Sequence, residues 1–258
     1  MIHEVAGGSV KFELHQHIGT IEFFHPQSNS LPGKLLEELA AMIHGAGNDE
    51  RVKVILLRSG GEKAFCAGAS FDELTAISTE EEGLRFFSGF AKVINAMRNC
   101  PQLVIGRIHG KCVGGGVGLA AAADYAIATK HAEVKLSELA VGIGPFVVGP
   151  AVERKMGTSA FSTLAIDASS FRSAEWARMH GLFAEVHESV EAMDEAINQL
   201  ATTLSHASPD AMAALKQVFW NGTAHWDTLL PERAAISGRL VLSEYTRQAI
   251  ARFKASRR

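Results

Sequence analysis

The chain has 258 residues, of which 47% are hydrophobic, 21% charged and 7% aromatic, a globular composition that excludes a disordered or fibrous protein. Its 25 Lys and Arg against 28 Asp and Glu leave a formal charge of -3, so nothing favours wrapping a polyanion and no nucleic-acid partner is expected. Three cysteines without CxxC spacing, Cys66, Cys100 and Cys112, exclude a disulfide framework and a four-cysteine zinc site within the chain, and the expected setting is reducing and cytoplasmic.

The first segment, Met1 to Phe12, carries His3, Glu4 and Lys11 among its apolar residues, and no run elsewhere approaches 18 uninterrupted apolar positions. Neither a signal peptide nor a membrane span is expected. Val10, Phe12 and Leu14 alternate with Lys11, Glu13 and His15 as a strand requires, and Ile18 to Phe24 reads as its hairpin partner. His15 and His17 share one strand face, but no third ligand lies near them, so no metal site is expected. From Pro32 a helical period follows, with Leu35, Leu36, Leu39, Met42 and Ile43 on one stripe and Gly45 and Gly47 as stop signals. Val52 to Leu57, Leu103 to Ile108 and Tyr125 to Ala128 are nearly unbroken apolar runs, which suits central strands covered on both faces. Ser70 with Glu73, and Ser78 with Glu81, have capping-box spacing; the second pair precedes a stripe of Leu84, Phe87, Ala91, Ile94 and Met97.

Strands alternating with helices predict an α/β core with parallel pairing, whose ligand sits where strand ends meet helix starts. The strand signal ends near Val186. Beyond it, helical patterns run over Met193 to Leu204, Ala211 to Trp220 and Ala234 to Arg252, with breaks at Pro209, Gly222 and Pro231. The expected organisation is therefore a core over 1–188 and a helical region over 189–258.

Signatures of the common dinucleotide, nucleotide, zinc-protease and serine-hydrolase sites are absent, but two small-residue turns stand out. Ala64-Phe65-Cys66-Ala67-Gly68-Ala69-Ser70 and Gly114-Gly115-Gly116-Val117-Gly118 each lie between a strand and a helix. Glycines let another group approach the main chain, and the first amides of a helix lack intrahelical partners and sit at its positive end. Two such turns facing each other can hold one carbonyl oxygen; the alternative reading is that small residues merely let elements pack closely.

With Lys63 to Ala69, then Ile108-His109-Gly110-Lys111-Cys112-Val113-Gly114-Gly115-Gly116, then Asp124, Leu136-Ser137-Glu138, Gly142, Pro145 and Ser173 to Leu182, the chain resembles the crotonase superfamily of enoyl-CoA hydratases and isomerases. The resemblance implies a spiral of repeated β-β-α units with a C-terminal helical trimerisation region, assembly as a homotrimer or a dimer of trimers, and an acyl-CoA substrate whose coenzyme A is part of the thioester, with no separate cofactor. It implies an oxyanion hole from the amides of Ala69 and Gly115, with Lys63, Ala67 and Gly68 among the substrate-binding residues.

Hydratases of this family commonly use two glutamates. The first position is Gly118 here, and the second is kept as Glu138, followed by the apolar run Leu139 to Ile143 that would desolvate its carboxyl. Hydration of a 2-enoyl-CoA by the single glutamate is the leading expectation, since the motifs also resemble bacterial methylglutaconyl-CoA hydratases. The alternatives are a 3-enoyl to 2-enoyl double-bond isomerase, and a non-catalytic member that binds acyl-CoA or RNA. The dehalogenase branch is not expected, because its nucleophilic aspartate maps near Phe146. Phe146 with Val147 and Val148, and Phe87 beside Phe86 and Phe90, are candidates for the acyl pocket, and Asp124 is read as structural. Phe253 and Lys254, in a basic stretch with Arg247, Arg252, Arg257 and Arg258, are candidates for the adenine and phosphates of CoA.

Overall fold

The computed structural model describes residues 1–255, with side chains described through residue 252. Alternating residues fold first into an antiparallel meander of β1 (Ile2–Val5), β2 (Gly8–His15) and β3 (Ile18–Phe24), in which Val10 opposes Phe23 and Phe12 opposes Ile21. After β4 (Ser30–Leu31), Pro32 caps α1 (Gly33–Gly47), whose buried residues include the whole predicted stripe. Gly45 lies inside the last turn and does not end the helix.

The chain then winds three times through one plan: a strand in a large sheet, a strand in a small sheet, then a helix. The first turn is β5 (Val54–Ser59), β6 (Ala64–Cys66), the short β7 (Gly68–Ala69), α2 (Phe71–Ala76) and α3 (Glu80–Asn99). The second is β8 (Leu103–Ile108), β9 (Lys111–Val113) and α4 (Gly115–Ala122). The third is β10 (Tyr125–Thr129), β11 (Glu133–Lys135), a single 3-10 turn over Leu139–Val141 and α5 (Gly149–Ile166). β12 (Arg172–Ser173), α6 (Ala174–Met179) and β13 (Glu185–His187) close the spiral, and α7 (Val190–Ser205), α8 (Pro209–Phe219), α9 (Trp226–Leu240) and α10 (Glu244–Ala255) follow. The large sheet has the order β1-β2-β3-β5-β8-β10-β13 and is parallel from β3 onward; the small sheet is β12-β11-β9-β6, and β4 pairs with β7. This is the crotonase-like α/β spiral.

The unbroken apolar strands are explained by layers on both sides. Ile55 and Leu57 belong to the main core with α1 and α3, while Val54, Leu56, Ile105 and Ile127 pack against Met193, Ile197 and Ala201 of α7. The first helix of the region read as separate thus covers the second face of the sheet.

Three local expectations are corrected. The N-cap of α3 is Thr79, which forms its capping box with Glu82, one residue beyond the predicted pair, while Ser78 donates to Glu82 from outside the helix. Ser70 caps α2, but the Glu73 carboxylate accepts from Gly33 N at 2.8 Å instead of returning to the cap. Pro231 does not break the chain: it lies inside α9 at the cost of one backbone bond, and the stretch Ala234 to Arg252 is split between α9 and α10. Among the described residues no helix is long and apolar enough to cross a membrane.

Candidate active site

Parallel pairing of β6 with β9 brings the two small-residue turns together. Gly68 has φ +92, and a Cβ there would lie 3.1 Å from Val113 O and 3.7 Å from Gly115 N; one on Gly116 would lie 2.2 Å from Cys66 O. Close packing and bared backbone are therefore the same feature, since any side chain at these positions would pry the turns apart. Val117 N and Gly118 N both donate to Gly114 O, so the amides of Gly115 and Gly116 precede the first helical bond of α4 and stand at its positive end. On the other turn, Ser30 Oγ donates to Ala69 O at 2.8 Å. Buried Asn29 donates to Gly60 O and Ala64 O at 2.8 and 2.9 Å, and Ala67 N donates to Ser28 O and Asn29 O. Asn29 and Ser30 were missed by the sequence reading. Their one signal is a polar Ser-Asn-Ser run between a strand and a helix, which reads as a loop.

Gly114 adopts φ +53 and donates its N–H to Lys135 O at 2.8 Å, which ties the glycine turn to the segment that delivers Glu138. The Glu138 carboxyl lies directly over Gly114, where a Cβ would come within 2.9 Å of Oε1. Its Oε2 is buried with no hydrogen-bond partner among the described residues, although the residue as a whole lines a cavity and is only half-buried. Burial is the main cause that raises its pKa from 4.5 to about 7, its own backbone amide opposing. A carboxyl with that value exchanges protons in either direction near neutral pH.

The cavity, of about 910 Å³, is lined by both turns through Ala67, Gly68, Ala69, Gly114 and Gly115, and by Glu138. Phe87 and Phe146 also line it, together with Phe71, Phe90 and Val148, which give it an apolar wall. Lys63 is not among the lining residues; its side chain is exposed. The side chains of Phe253 and Lys254 lie outside the described residues. At Gly118 the space is already filled: a Cβ would lie 2.5 Å from Val148 Cγ1. Of the other acids, Asp72 lines the cavity but accepts from Gln27 Nε2 at 3.2 Å, and Glu82 is committed to the cap of α3. Cys66 and Cys112 are fully buried beside the turns, and burial pushes the Cys66 thiol up to about 12 and Cys112 well above its usual value. Both remain protonated packing groups.

The sequence model of the enoyl-CoA hydratase/isomerase family matches residues 13–249. The chain belongs to this family. A probable enoyl-CoA hydratase of Bacillus subtilis is 24% identical over 252 residues, 97% of each chain. A short-chain-enoyl-CoA hydratase of Clostridium acetobutylicum is 28% identical over 89% of this chain and 88% of its own. Human mitochondrial methylglutaconyl-CoA hydratase is 31% identical over 73% of this chain and 55% of its own. The crystal structure of an enoyl-CoA hydratase from Bacillus halodurans shares the fold, with a TM-score of 0.86 over 94% of this chain and 99% of that one at 20% identity. Membership of the enoyl-CoA hydratase/isomerase family makes the protein an enzyme of that class, with acyl-CoA as its implied substrate.

Proposed function

We propose that the protein adds water to a 2-enoyl-CoA thioester, using Glu138 alone to move protons and the amides of Ala69 and Gly115 to hold the thioester oxygen. The observation that carries this reading is the Glu138 carboxyl over Gly114, whose buried Oε2 has no partner among the described residues, in one cavity with both amide-bearing turns. Ionised Glu138 takes a proton from water as the water oxygen bonds to the β carbon, and the π electrons pass to the thioester oxygen as an enolate. The same carboxyl returns that proton to the α carbon as the enolate collapses. Amides already pointing at the oxygen favour the enolate over the ground-state carbonyl, and losing one such donor typically costs about 10² to 10³ in rate. The three relatives above, each described as a hydratase, support this choice.

A second reading, proton transfer between the α and γ carbons of an enoyl thioester, is favoured by Val148, which fills the place a second carboxylate would take. A purely binding or scaffolding protein has no use for a carboxyl held desolvated at a cost to stability. Coenzyme A enters as part of the substrate, with no separate cofactor. Self-association, as a trimer or a dimer of trimers, is assigned to the helical region, where Leu215, Val218 and Phe219 of α8 are 46%, 69% and 44% exposed.

The test is incubation with 2-enoyl- and 3-enoyl-CoA thioesters in deuterated water, with products read by mass spectrometry. A 3-hydroxyacyl-CoA carrying one solvent deuterium on the α carbon is the expected product of the 2-enoyl substrates. Interconversion of 3-enoyl and 2-enoyl forms without water addition would replace hydration by isomerisation, and no reaction with no deuterium uptake would overturn both.

A further inference from the structure

The turn that follows Glu138 has little of its own to hold it in place. Val141 N and Ile143 N donate to Glu138 O at 3.2 and 3.0 Å, and Gly142 N donates to Leu139 O, but Leu139 is 49% exposed and the outer face of the turn points away from the core. What covers the turn is α10 of the same chain. Thr246, with no exposed surface, donates from Oγ1 to Gly142 O at 3.0 Å. Its hydroxyl in turn accepts from Ser243 Oγ at 3.1 Å, and its N–H donates to the same Ser243 Oγ at 3.3 Å, so the Thr246 hydroxyl proton is directed at Gly142.

Gly142 has φ +82, and the space a Cβ would need there is taken by Thr246 Oγ1 at 2.5 Å and the Tyr245 ring at 2.8 Å. Around this contact, Ile143 packs with Val241 and Ile250, and that cluster reaches Phe71, Leu74 and Phe87, which line the cavity. The glycine, the hydroxyl and the cluster lock α10 to the backbone that carries Glu138.

We infer that Thr246 is a positioning residue for Glu138, acting through the Gly142 carbonyl, so that the C-terminal helix sets where the proton-carrying carboxyl stands. This rests on the reading of Glu138 given above. Because misplacing a reacting group by about 1 Å costs on the order of 10²-fold in rate while ground-state binding is little changed, the effect falls on kcat.

The experiment compares Thr246→Val, Thr246→Ser and Ser243→Ala with Glu138→Gln in enoyl-CoA turnover, with thermal unfolding of each. Thr246→Val, which keeps the shape and removes the donor, is expected to lower kcat roughly 10- to 100-fold with KM within about twofold. Thr246→Ser, which keeps the hydroxyl, returns kcat to within a few-fold of the unaltered enzyme, and Ser243→Ala gives a smaller loss in the same sense. Should Thr246→Val fail to fold, the Ser243→Ala loss of kcat at constant KM carries the test. Unchanged kcat in the folded variants, equal losses in Thr246→Val and Thr246→Ser, or a rise in KM at constant kcat would overturn the inference. If Glu138→Gln abolishes turnover while Thr246→Val does not alter it, the positioning role alone falls. If Glu138→Gln turns over normally, the assignment of Glu138 falls first.

Discussion

Asp124 and Glu138 both carry buried carboxylate oxygen, and they are treated in opposite ways. Asp124, between α4 and β10, has a side chain only 3% exposed and is fully engaged: Val104 N and Trp220 Nε1 each donate to it at 2.8 Å, and Lys216 Nζ stands 3.1 Å away. Lys216, itself 2% exposed, also donates to Gln102 O and Cys100 Sγ. The Oε2 of Glu138 has no partner among the described residues, and burial, opposed only by its own backbone amide, raises its pKa to about 7. Partners make a buried acid part of the frame, tying α8 to the sheet. On the function proposed above, their absence makes it a reagent.

The largest expected effect is on the reagent. Glu138→Gln should lower turnover by about 10² to 10⁴, the usual worth of a positioned acid-base group, in a steady-state assay with enoyl-CoA. In the unaltered enzyme, kcat/KM should climb roughly tenfold per pH unit and level off above about 7, because the cycle starts from the ionised carboxyl. A flat profile through that range would break the distinction between the two acids.

Asp124→Asn should do the reverse. It strands the Lys216 ammonium in the interior and is expected to cost about 3 to 5 kcal/mol in denaturant unfolding, with kcat per folded molecule unchanged. Next in size is Gly118→Ala, which drives a methyl into Val148 and should cost about 1 to 3 kcal/mol. Val148→Ala in the same chain should recover most of it, read as a coupling energy in a double-mutant cycle.

The smallest effect sharpens the comparison through pH. The folded value of Glu138 lies above its ordinary 4.5, so ionising it weighs on the native state; that penalty is absent below about pH 4.5 and complete above about 7. His109 is shifted the other way, from 6.5 to about 4, by burial and by the Arg107 charge, with both ring nitrogens unpartnered among the described residues. Its penalty is absent above pH 6.5 and complete near pH 4. Between pH 4.5 and 6.5 the two slopes oppose, each at most about 1.4 kcal/mol per pH unit. Relative to the unaltered protein, Glu138→Gln should gain stability as pH rises through this window and His109→Asn should lose it, in unfolding curves across pH.

Much of this was legible in the chain. Apolar runs such as Val54 to Leu57 announced strands covered on both sides, and the glycines of the two turns announced bared amides, because both properties are local. The Glu138 candidate came from the family resemblance and its apolar neighbours, and the structure places it in the cavity with both turns. What stayed hidden is what depends on distant partners. Lys216 looks like any helix lysine until its helix is laid against Asp124, 92 residues earlier in number. Nothing around Val148 states that it fills the space at Gly118, and nothing around Thr246 states that it reaches Gly142. The capping box of α3 slipped by one residue for a related reason: Ser78, Thr79 and Glu82 offer several equivalent donors and acceptors, and only the path of the chain into α3 chooses among them.

The filled space at Gly118 also shapes what sequences lie nearby. A second acid cannot be gained there by one substitution, since the side chain at 148 must shrink first and that shrinkage opens a void in the wall of the cavity. Each order of the two changes passes through a less stable intermediate. On the function proposed above, a protein of this sequence is thus held to one carboxylate by a barrier in mutational space, and random mutagenesis one step at a time would leave it there.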